Sequence, residues 1–301
     1  MKKKQKMITQ IYRTIFPLAF RQKIYDVFLG RIVFFFRHIN VIGKSKSAYF
    51  FGFLMPKTEV NKAYSFMGKH GLTSYPNDYM LEYQRMEIRV EHDASQNLPF
   101  VNHNGRRLYF PEFYSDDKVK RDYRALVIEQ DIRSPHRYVR SYDELRDKTL
   151  LDVGAAEGIF SLDTIELTKG VILFECLEHW QKPLKATFAN WSDKVTFVKK
   201  YVGNKSDGDF VTIDEFLTEK INSGLFIKMD IEGAERIALE GAERTLREGK
   251  NIQLAVCTYH RIGDPEYMED LLTRHGYATE FSQGLMYWNK RLSKGIIRAR
   301  K

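Results

Sequence analysis

The second half of this sequence predicts an α/β fold built on a parallel sheet. Short apolar segments alternate there with amphipathic segments, and a turn of small residues, 154–158, directly follows the first apolar segment. This alternation is typical of parallel strands, because each must be joined to the next by a long right-handed connection that is usually a helix. Ligands of such sheets bind beyond the carboxyl ends of the strands. Residues 147–301 are therefore predicted to form a Rossmann-like domain.

Apolar runs and helical spacing place the elements of this domain. The runs predict five strands, over residues 149–154, 171–177, 195–202, 225–231 and 252–258. The amphipathic segments between them predict helices over residues 157–168, 180–190, 213–221, 234–248 and 265–275.

Two further segments precede the Rossmann-like domain: a basic, aromatic helical arm over residues 1–60 and an α+β extension over residues 61–146. The extension contains a predicted hairpin, since Asn104-Gly105 is a strong type I′ turn signal. Its strands are predicted over residues 86–90, 98–101 and 106–110, and a helix with Ser115 as N-cap is predicted to follow as far as about residue 130.

The net charge of +9 is concentrated in the arm. Residues 1–60 hold 12 Lys and Arg against 2 Asp and Glu, which leaves 36 basic and 37 acidic residues in the rest of the chain. Cations interrupt every apolar stretch before it reaches the roughly 18–20 residues that a transmembrane helix needs. Two interpretations of the arm stay open: residues 1–55 lie on an anionic membrane surface, or their aromatic face packs on the domain.

The cysteine content gives no support for a disulfide framework or a structural zinc site. Cys176 and Cys257 are the only two cysteines, and no Cys-x-x-Cys or Cys/His cluster occurs. The sequence therefore predicts a cytoplasmic protein, which the arm could hold peripherally on the cytoplasmic face of the membrane.

The turn after the first predicted strand favours one class of nucleotide cofactor. Asp152 precedes it, and small residues stand at Gly154, Ala156 and Gly158, the D/E-x-G-x-G-x-G spacing of proteins that bind S-adenosylmethionine. A dinucleotide-binding turn would place a small residue at 159, where this chain has isoleucine. Small side chains let a ligand approach the backbone closely.

Two further residues are predicted to contact that cofactor. Glu175 ends the second strand about twenty residues beyond the turn, where an acidic side chain can accept hydrogen bonds from both ribose hydroxyls. Asn204 follows the third predicted strand, in the region that flanks an adenine.

The fourth strand ends in residues 227–235, IKMDIEGAE, and this run resembles the signature of the FkbM family of methyltransferases. The resemblance covers about residues 149–260, and more thinly a lead-in that contains Glu129 and residues 134–138. It implies a class I methyltransferase fold that uses S-adenosylmethionine. It also implies O-methylation of a hydroxyl, on a glycan such as a surface polysaccharide or lipid-linked sugar, or on a related metabolite.

Three residues at the strand ends are candidates for catalysis: Asp230, Glu232 and His260. Each can accept the proton that an alcohol loses as it is methylated, and histidine titrates closest to neutral pH. Asp230 and Glu232 are also a candidate oxygen-ligand pair for a divalent cation, which no other residue pattern supports. A structural role for the two carboxylates is an equal alternative.

Two other classes of function are weighed against the glycan methyltransferase. A nucleic-acid methyltransferase would use the basic charge to hold phosphates, but the Asn/Asp-Pro-Pro-Tyr/Phe run that base-amino methylases share is replaced here by residues 230–233, DIEG. Two carboxylates at that point would repel a phosphate backbone. The other alternative is a binding protein that keeps the fold and the cofactor without turnover.

Overall fold

The computed structural model describes residues 30–217 and 224–301, and the chain divides into two compact units between Leu72 and Thr73. The segment of the predicted arm before residue 30, and the end of the helix predicted over residues 213–221, lie outside the described residues.

The first unit contains two helices that pack together, α1 (Gly30–Phe51) and α2 (Glu59–His70). Gly68 is the point of closest approach, because a β-carbon there would lie 2.1 Å from the Ser45 carbonyl oxygen. Thr58 caps α2 by accepting a hydrogen bond from the Asn61 amide. Among the described residues, no helix is both long and apolar enough to cross a membrane.

A seven-stranded sheet organises the second unit, with the order β11-β14-β10-β9-β4-β5-β6. The five strands from β10 to β6 are parallel, whereas β14 runs antiparallel to both β10 and β11. The strands are β4 (Thr149–Val153), β5 (Gly170–Phe174), β6 (Val195–Val198), β9 (Leu225–Met229), β10 (Ile252–Cys257), β11 (Ala278–Phe281) and β14 (Ile296–Arg300).

The register of the central strands brings their carboxyl ends level. Val153 of β4 lies beside Phe174 of β5 and Met229 of β9, and Met229 lies beside Val256 of β10. The residues that follow these strands therefore emerge side by side along one edge of the sheet, which confirms the predicted parallel α/β domain.

Helices cover both faces of the sheet, but two predicted elements are divided. The helix predicted over residues 234–248 is interrupted at Gly241, where a β-carbon would lie 1.9 Å from the Gly203 carbonyl oxygen. The strand predicted over residues 195–202 continues beyond β6 only as β7 (Tyr201–Val202), which pairs with β8 (Phe210–Val211). The helices are α3 (Asp116–Glu129), α4 (Ile159–Thr164), α5 (Glu178–Thr187), α6 (Ile213–Phe216), α7 (Glu235–Glu240), α8 (Glu243–Glu248) and α9 (Asp264–Arg274).

The predicted hairpin is present as β2 (Leu98–His103) and β3 (Arg106–Tyr109), with β1 (Val90–Asp93) antiparallel to β2. Its turn residues Asn104 and Gly105 have φ angles of 52° and 83°, as a type I′ turn requires. The first strand was predicted too early, because the Met86 amide donates to the Tyr83 carbonyl and closes a turn there.

The hairpin and the parallel sheet share one hydrophobic core. Val101, Leu108 and Val119 belong to the same buried cluster as Leu150 and Phe226 of the sheet. A polar contact adds to it, since Asp163 of α4 lies 2.9 Å from His103 of β2. This joint core places the end of α3 beside the carboxyl edge of the sheet.

A second small ribbon completes the unit, formed by β12 (Met286–Trp288) and β13 (Arg291–Ser293).

Candidate functional site

The turn after β4 has a backbone that depends on small residues. Gly154, Ala156 and Gly158 all have positive φ angles, of 82°, 46° and 79°. At Gly154 a β-carbon would lie 2.0 Å from the Asp230 carbonyl oxygen, so only glycine fits there without displacing β9. Ala156 adopts the left-handed conformation without glycine's freedom, at a cost of roughly 1–2 kcal/mol.

Glu175 forms a hydrogen bond with the backbone of this turn. Its buried carboxylate accepts a hydrogen bond from the Ala156 amide at 2.9 Å and another from the Leu177 amide at 2.7 Å. Each carboxylate oxygen has two acceptor positions, so both oxygens can still accept a further donor. The two hydrogen bonds fix the orientation of the carboxylate at the carboxyl edge of the sheet.

Asp152 is held by buried partners of its own. Its carboxylate accepts a hydrogen bond from the Ser161 hydroxyl at 2.6 Å and pairs with the Lys228 ammonium at 2.8 Å. Lys228 also donates to the Gly154 carbonyl at 2.5 Å. Burial alone would lower the pKa of Lys228, but the charge of Asp152 raises it well above its usual range. Asp152 thus helps to hold the turn in place.

A cavity of about 190 Å³ lies against the turn. The cavity is smaller than the roughly 300–1,000 Å³ that ligand pockets commonly measure. Burial raises the pKa of the half-buried Glu157 in its wall to about 8. The lining includes Glu129, Tyr138, Asp152, Gly154, Ala155, Ala156, Glu157, Lys228 and Asp230.

Asn204 does not line this cavity. Its exposed side-chain amide donates to a Glu240 carboxylate oxygen at 2.9 Å. Its contact with an adenine stays a prediction.

Asp230 lies at the centre of the polar cluster beyond β9. Its Oδ2 accepts a hydrogen bond from the Tyr138 hydroxyl at 2.9 Å and lies 3.5 Å from His136 Nε2. Burial alone would raise the pKa of Asp230, but His136 and Lys228 hold it well below its usual range. The carboxylate is therefore ionised at neutral pH.

His260 follows β10 and faces Asp230 and Glu232. Its Nδ1 donates to Glu235 Oε1 at 2.7 Å, while Nε2 lies 3.7 Å from Asp230 Oδ1 and 3.6 Å from Glu232 Oε2. Burial would lower the pKa of His260, but the hydrogen bond and charge of Glu235 raise it. The structure thus brings all three predicted catalytic residues together.

Glu232 is the accessible member of this group. Its side chain is 80% exposed, and its φ of 54° is a left-handed conformation that costs a non-glycine residue roughly 1–2 kcal/mol. Glu235 holds the same loop from below, because its Oε1 also accepts hydrogen bonds from the Ile231 and Gly233 amides.

His136 is a fully buried histidine outside the predicted set of site residues. Its Nδ1 lies 2.7 Å from Glu129 Oε1, and its Nε2 lies 3.0 Å from the Tyr259 hydroxyl. Burial opposes protonation, but the carboxylates of Glu129 and Asp230 raise its pKa to about 9. The only signal for these residues in the sequence was the lead-in that contains Glu129 and residues 134–138.

Comparison with known proteins assigns the chain to a family. A family model described as the methyltransferase FkbM domain matches residues 100–278. The chain belongs to the FkbM methyltransferase family. The match begins within the hairpin, so the family domain includes α3 and the lead-in as well as the parallel sheet. No curated protein matches the sequence.

Several solved structures of methyltransferases are similar to the chain at low identity. The FkbM methyltransferase from Methylobacillus flagellatus is 21% identical with a TM-score of 0.41, and the alignment covers 62% of this chain and 55% of that one. An rRNA methylase from Streptococcus thermophilus is 15% identical with a TM-score of 0.39, covering 53% and 91%. The chain therefore matches about half the length of the FkbM structure.

Proposed function

We propose that this protein transfers a methyl group from S-adenosylmethionine to a hydroxyl oxygen of a glycan or a related metabolite. The observation that carries the proposal is the pairing of two sites on one edge of the sheet. Glu175, anchored to the small-residue turn, marks the cofactor end. Asp230 and His260 would form the acceptor end, two and three strands away from Glu175 in the order of the sheet.

The cofactor end suits an adenosyl ligand. Glu175 would accept the ribose hydroxyls, and the backbone of residues 154–158 would face the amino-acid portion beside the cavity. When bound, S-adenosylmethionine supplies an electrophilic methyl carbon: the acceptor oxygen bonds to that carbon, and the sulfur keeps the electron pair of the bond that breaks. The protein itself has to align the acceptor and exclude water.

At the acceptor end, the cluster of Asp230, Glu232 and His260 would position the hydroxyl and receive its proton. Tyr138 orients Asp230 by donating to its Oδ2, and Glu235 orients His260 through Nδ1. Carboxylate and imidazole acceptors within a few ångströms of one another suit an uncharged, hydroxyl-rich acceptor. The same carboxylates disfavour a phosphate backbone.

The cofactor half of the proposal is tested by titrating S-adenosylmethionine into the protein in a calorimeter. Glu175→Ala removes a charged hydrogen-bond acceptor, so we expect affinity to fall by about 10–100-fold, equivalent to about 1.5–3 kcal/mol. Glu178→Ala is the matched control, since that glutamate is exposed and pairs only with Lys199 at the surface. Absence of binding by the wild type would refute the proposal.

The acceptor half is tested by methyl transfer from labelled cofactor into cell extract separated into glycan, lipid, nucleic-acid and small-molecule fractions. We expect label in the glycan or small-molecule fraction, and loss of that label with His260→Ala. Label in nucleic acid would favour the alternative methyltransferase. Tight cofactor binding without label in any fraction would favour a non-catalytic binding protein.

We also propose that the arm holds the protein on an anionic membrane surface, where a lipid-linked acceptor would be found. The described part of the arm supports this, because six phenylalanines of α1 and the turn after it are between 47% and 83% exposed. Exposed aromatics beside a concentration of Lys and Arg are typical of interfacial segments. These phenylalanines are Phe34, Phe35, Phe36, Phe50, Phe51 and Phe53.

The membrane proposal is tested by sedimentation with vesicles that contain phosphatidylserine. Changing Phe36, Phe50 and Phe53 together to serine should release the protein while leaving its cofactor affinity unchanged, because these exposed side chains add nothing to the core. Vesicles of phosphatidylcholine alone are the control for charge. A wild type that does not sediment with anionic vesicles would contradict the proposal.

A further inference from the structure

The strand-end cluster contains a buried nitrogen that lacks a partner. The His260 side chain is only 4% exposed, and within residues 30–217 and 224–301 its Nε2 has no hydrogen-bond partner. Its neighbours Asp230 Oδ1 and Glu232 Oε2, at 3.7 and 3.6 Å, are too far for a hydrogen bond, which ends near 3.2 Å. Burying a polar atom without a hydrogen-bond partner destabilises the folded state, so the unpaired Nε2 requires an explanation.

Each of these two separations matches the distance between two ligands of one metal ion. Two ligand atoms that each lie about 2.1 Å from a common ion are about 3.0 Å apart at an angle of 90° and about 3.6 Å apart at 120°. The distance from Nε2 to each carboxylate oxygen is therefore close to that between two ligands of one ion, and longer than a hydrogen bond. We propose that Asp230, Glu232 and His260 bind a divalent transition-metal cation.

The surroundings of His260 are those of a metal-bound histidine. Ligating histidines usually donate their second ring N–H to a carboxylate, which fixes the tautomer and orients the ring. Glu235 accepts such a hydrogen bond from Nδ1 at 2.7 Å and so leaves the lone pair of Nε2 directed at the two carboxylates. Asp230, Glu235 and His260 each offer a ligand atom within 4.8 Å of the others; the exposed side chain of Glu232 is outside that group and would turn towards the ion to complete the proposed ligand set.

The ligand set favours certain ions. One imidazole with two carboxylates suits manganese, iron, cobalt or zinc, whereas magnesium and calcium prefer oxygen alone. The neighbouring group of His136, Asp230 and Cys257 is a poorer site, because both nitrogens of His136 already have partners, Glu129 and Tyr259. Asp230 is shared by the two groups, and its Oδ1 faces His260.

Three protein ligands leave positions open for oxygens of a second molecule. Neighbouring hydroxyls of a sugar are one chemistry that would fill them, and a bound cation would make such a hydroxyl more acidic. Cation binding itself does not depend on the proposed methyl transfer. The two can therefore fail separately.

The test titrates MnCl₂ into the full chain after treatment with a chelator and dialysis, followed by calorimetry and electron paramagnetic resonance. We expect one Mn²⁺ per chain, with a nitrogen coupling in the spectrum that His260→Ala abolishes. Glu232→Gln should weaken binding strongly without affecting folding, since that side chain is exposed. Glu235→Gln, a change to a positioning residue, should weaken it by about 10–100-fold.

The matched control is His275→Ala, which removes a histidine that pairs with Glu243 away from the strand ends. It should bind Mn²⁺ as the wild type does, and a melting curve of each variant reports whether it is folded. No binding by the wild type, or equal binding by the wild type and Glu232→Gln, would overturn the inference. Titration of the same samples with S-adenosylmethionine reports on the proposed function independently.

Discussion

The cofactor end and the acceptor end lie along the same carboxyl edge of the sheet, but their charged groups have different partners. At the cofactor end, Glu175 accepts hydrogen bonds from two backbone amides. Asp152 accepts a hydrogen bond from a serine and forms an ion pair with a lysine. At the acceptor end, Asp230 and His260 lie among further carboxylates, and one imidazole nitrogen has no partner among the described residues. The charged groups of the proposed cofactor end are thus paired within the protein, whereas the proposed acceptor end keeps a buried nitrogen without a partner among the described residues.

The two ends also differ in how far apart in the sequence their contacting residues are. Ala156 and Glu175, which meet at the cofactor end, are 19 residues apart in sequence. Tyr138 and Asp230, which meet at the acceptor end, are 92 residues apart. Local contacts leave a local sequence pattern, and long-range contacts do not.

Lys228 joins the two ends, and its removal should have the largest effect. Lys228→Met leaves the buried Asp152 charge without its cation and the Gly154 carbonyl without its donor. We expect the free energy of unfolding in urea to fall by about 3–5 kcal/mol, since breaking a buried ion pair by removing one partner costs that much.

The control for this change is the double variant Lys228→Met with Asp152→Asn. Removing both charges should restore part of the loss, because no uncompensated charge is left buried. A loss of less than about 1 kcal/mol for the single variant would mean that water reaches Asp152, and that the cofactor end is not closed.

The geometry of the turn after β4 and its contact with Glu175 agree with the local sequence pattern. The spacing of Gly154, Ala156 and Gly158 and the position of Glu175 follow from how a strand turns into a helix, which nearby residues determine. The parallel sheet followed in the same way, from alternating apolar and amphipathic segments. The close packing at Gly241 was not predictable, because it involves the backbone of Gly203, 38 residues away.

The acceptor end could be predicted only in part. Asp230, Glu232 and His260 were recognised because strand ends meet at one edge of a parallel sheet. Their partners Tyr138 and His136 come from outside the predicted domain, and their positions depend on the core that the hairpin shares with the sheet. No local pattern encodes such packing.

A second prediction separates steric fit from backbone conformation at the cofactor end. Gly154→Ala and Gly105→Ala both place alanine at a φ near 80°, but only at position 154 would the β-carbon clash with a backbone oxygen. We expect Gly105→Ala to cost about 1–2 kcal/mol and Gly154→Ala about 2–5 kcal/mol, measured by urea unfolding. Equal losses would mean that β9 moves aside easily.

A third prediction concerns pH and the cavity at the cofactor end. Burial raises the pKa of Glu157 to about 8, so ionising it in the folded state costs stability. In the unfolded chain this carboxyl group releases its proton near pH 4.5, whereas in the folded protein it keeps the proton up to about pH 8. The free energy of unfolding therefore decreases as pH rises from about 4.5 to 8. The side chain is only half-buried, so we expect a loss of about 1–2 kcal/mol rather than the full shift.

Glu157→Gln removes this titration. The variant should match the wild type in urea unfolding at pH 4.5 and exceed it at pH 8.5. Saturating S-adenosylmethionine should narrow the difference, because a cationic ligand end in the cavity would favour the ionised carboxylate. A difference independent of pH would show that Glu157 is open to solvent, as the acceptor end's Glu232 is.

The smallest effects are expected from relieving one left-handed residue at each end. Ala156→Gly and Glu232→Gly each remove a conformational cost of roughly 1–2 kcal/mol from the folded state. Glycine also has greater chain entropy in the unfolded state, which offsets part of this gain. We therefore expect the free energy of unfolding to rise by about 0.5 kcal/mol. Their ligand affinities should then diverge. Ala156→Gly should bind S-adenosylmethionine within about twofold of the wild type, whereas Glu232→Gly should lose Mn²⁺. A strong loss of cofactor affinity in Ala156→Gly would mean that the cofactor end, too, is completed by a side chain in contact with its ligand.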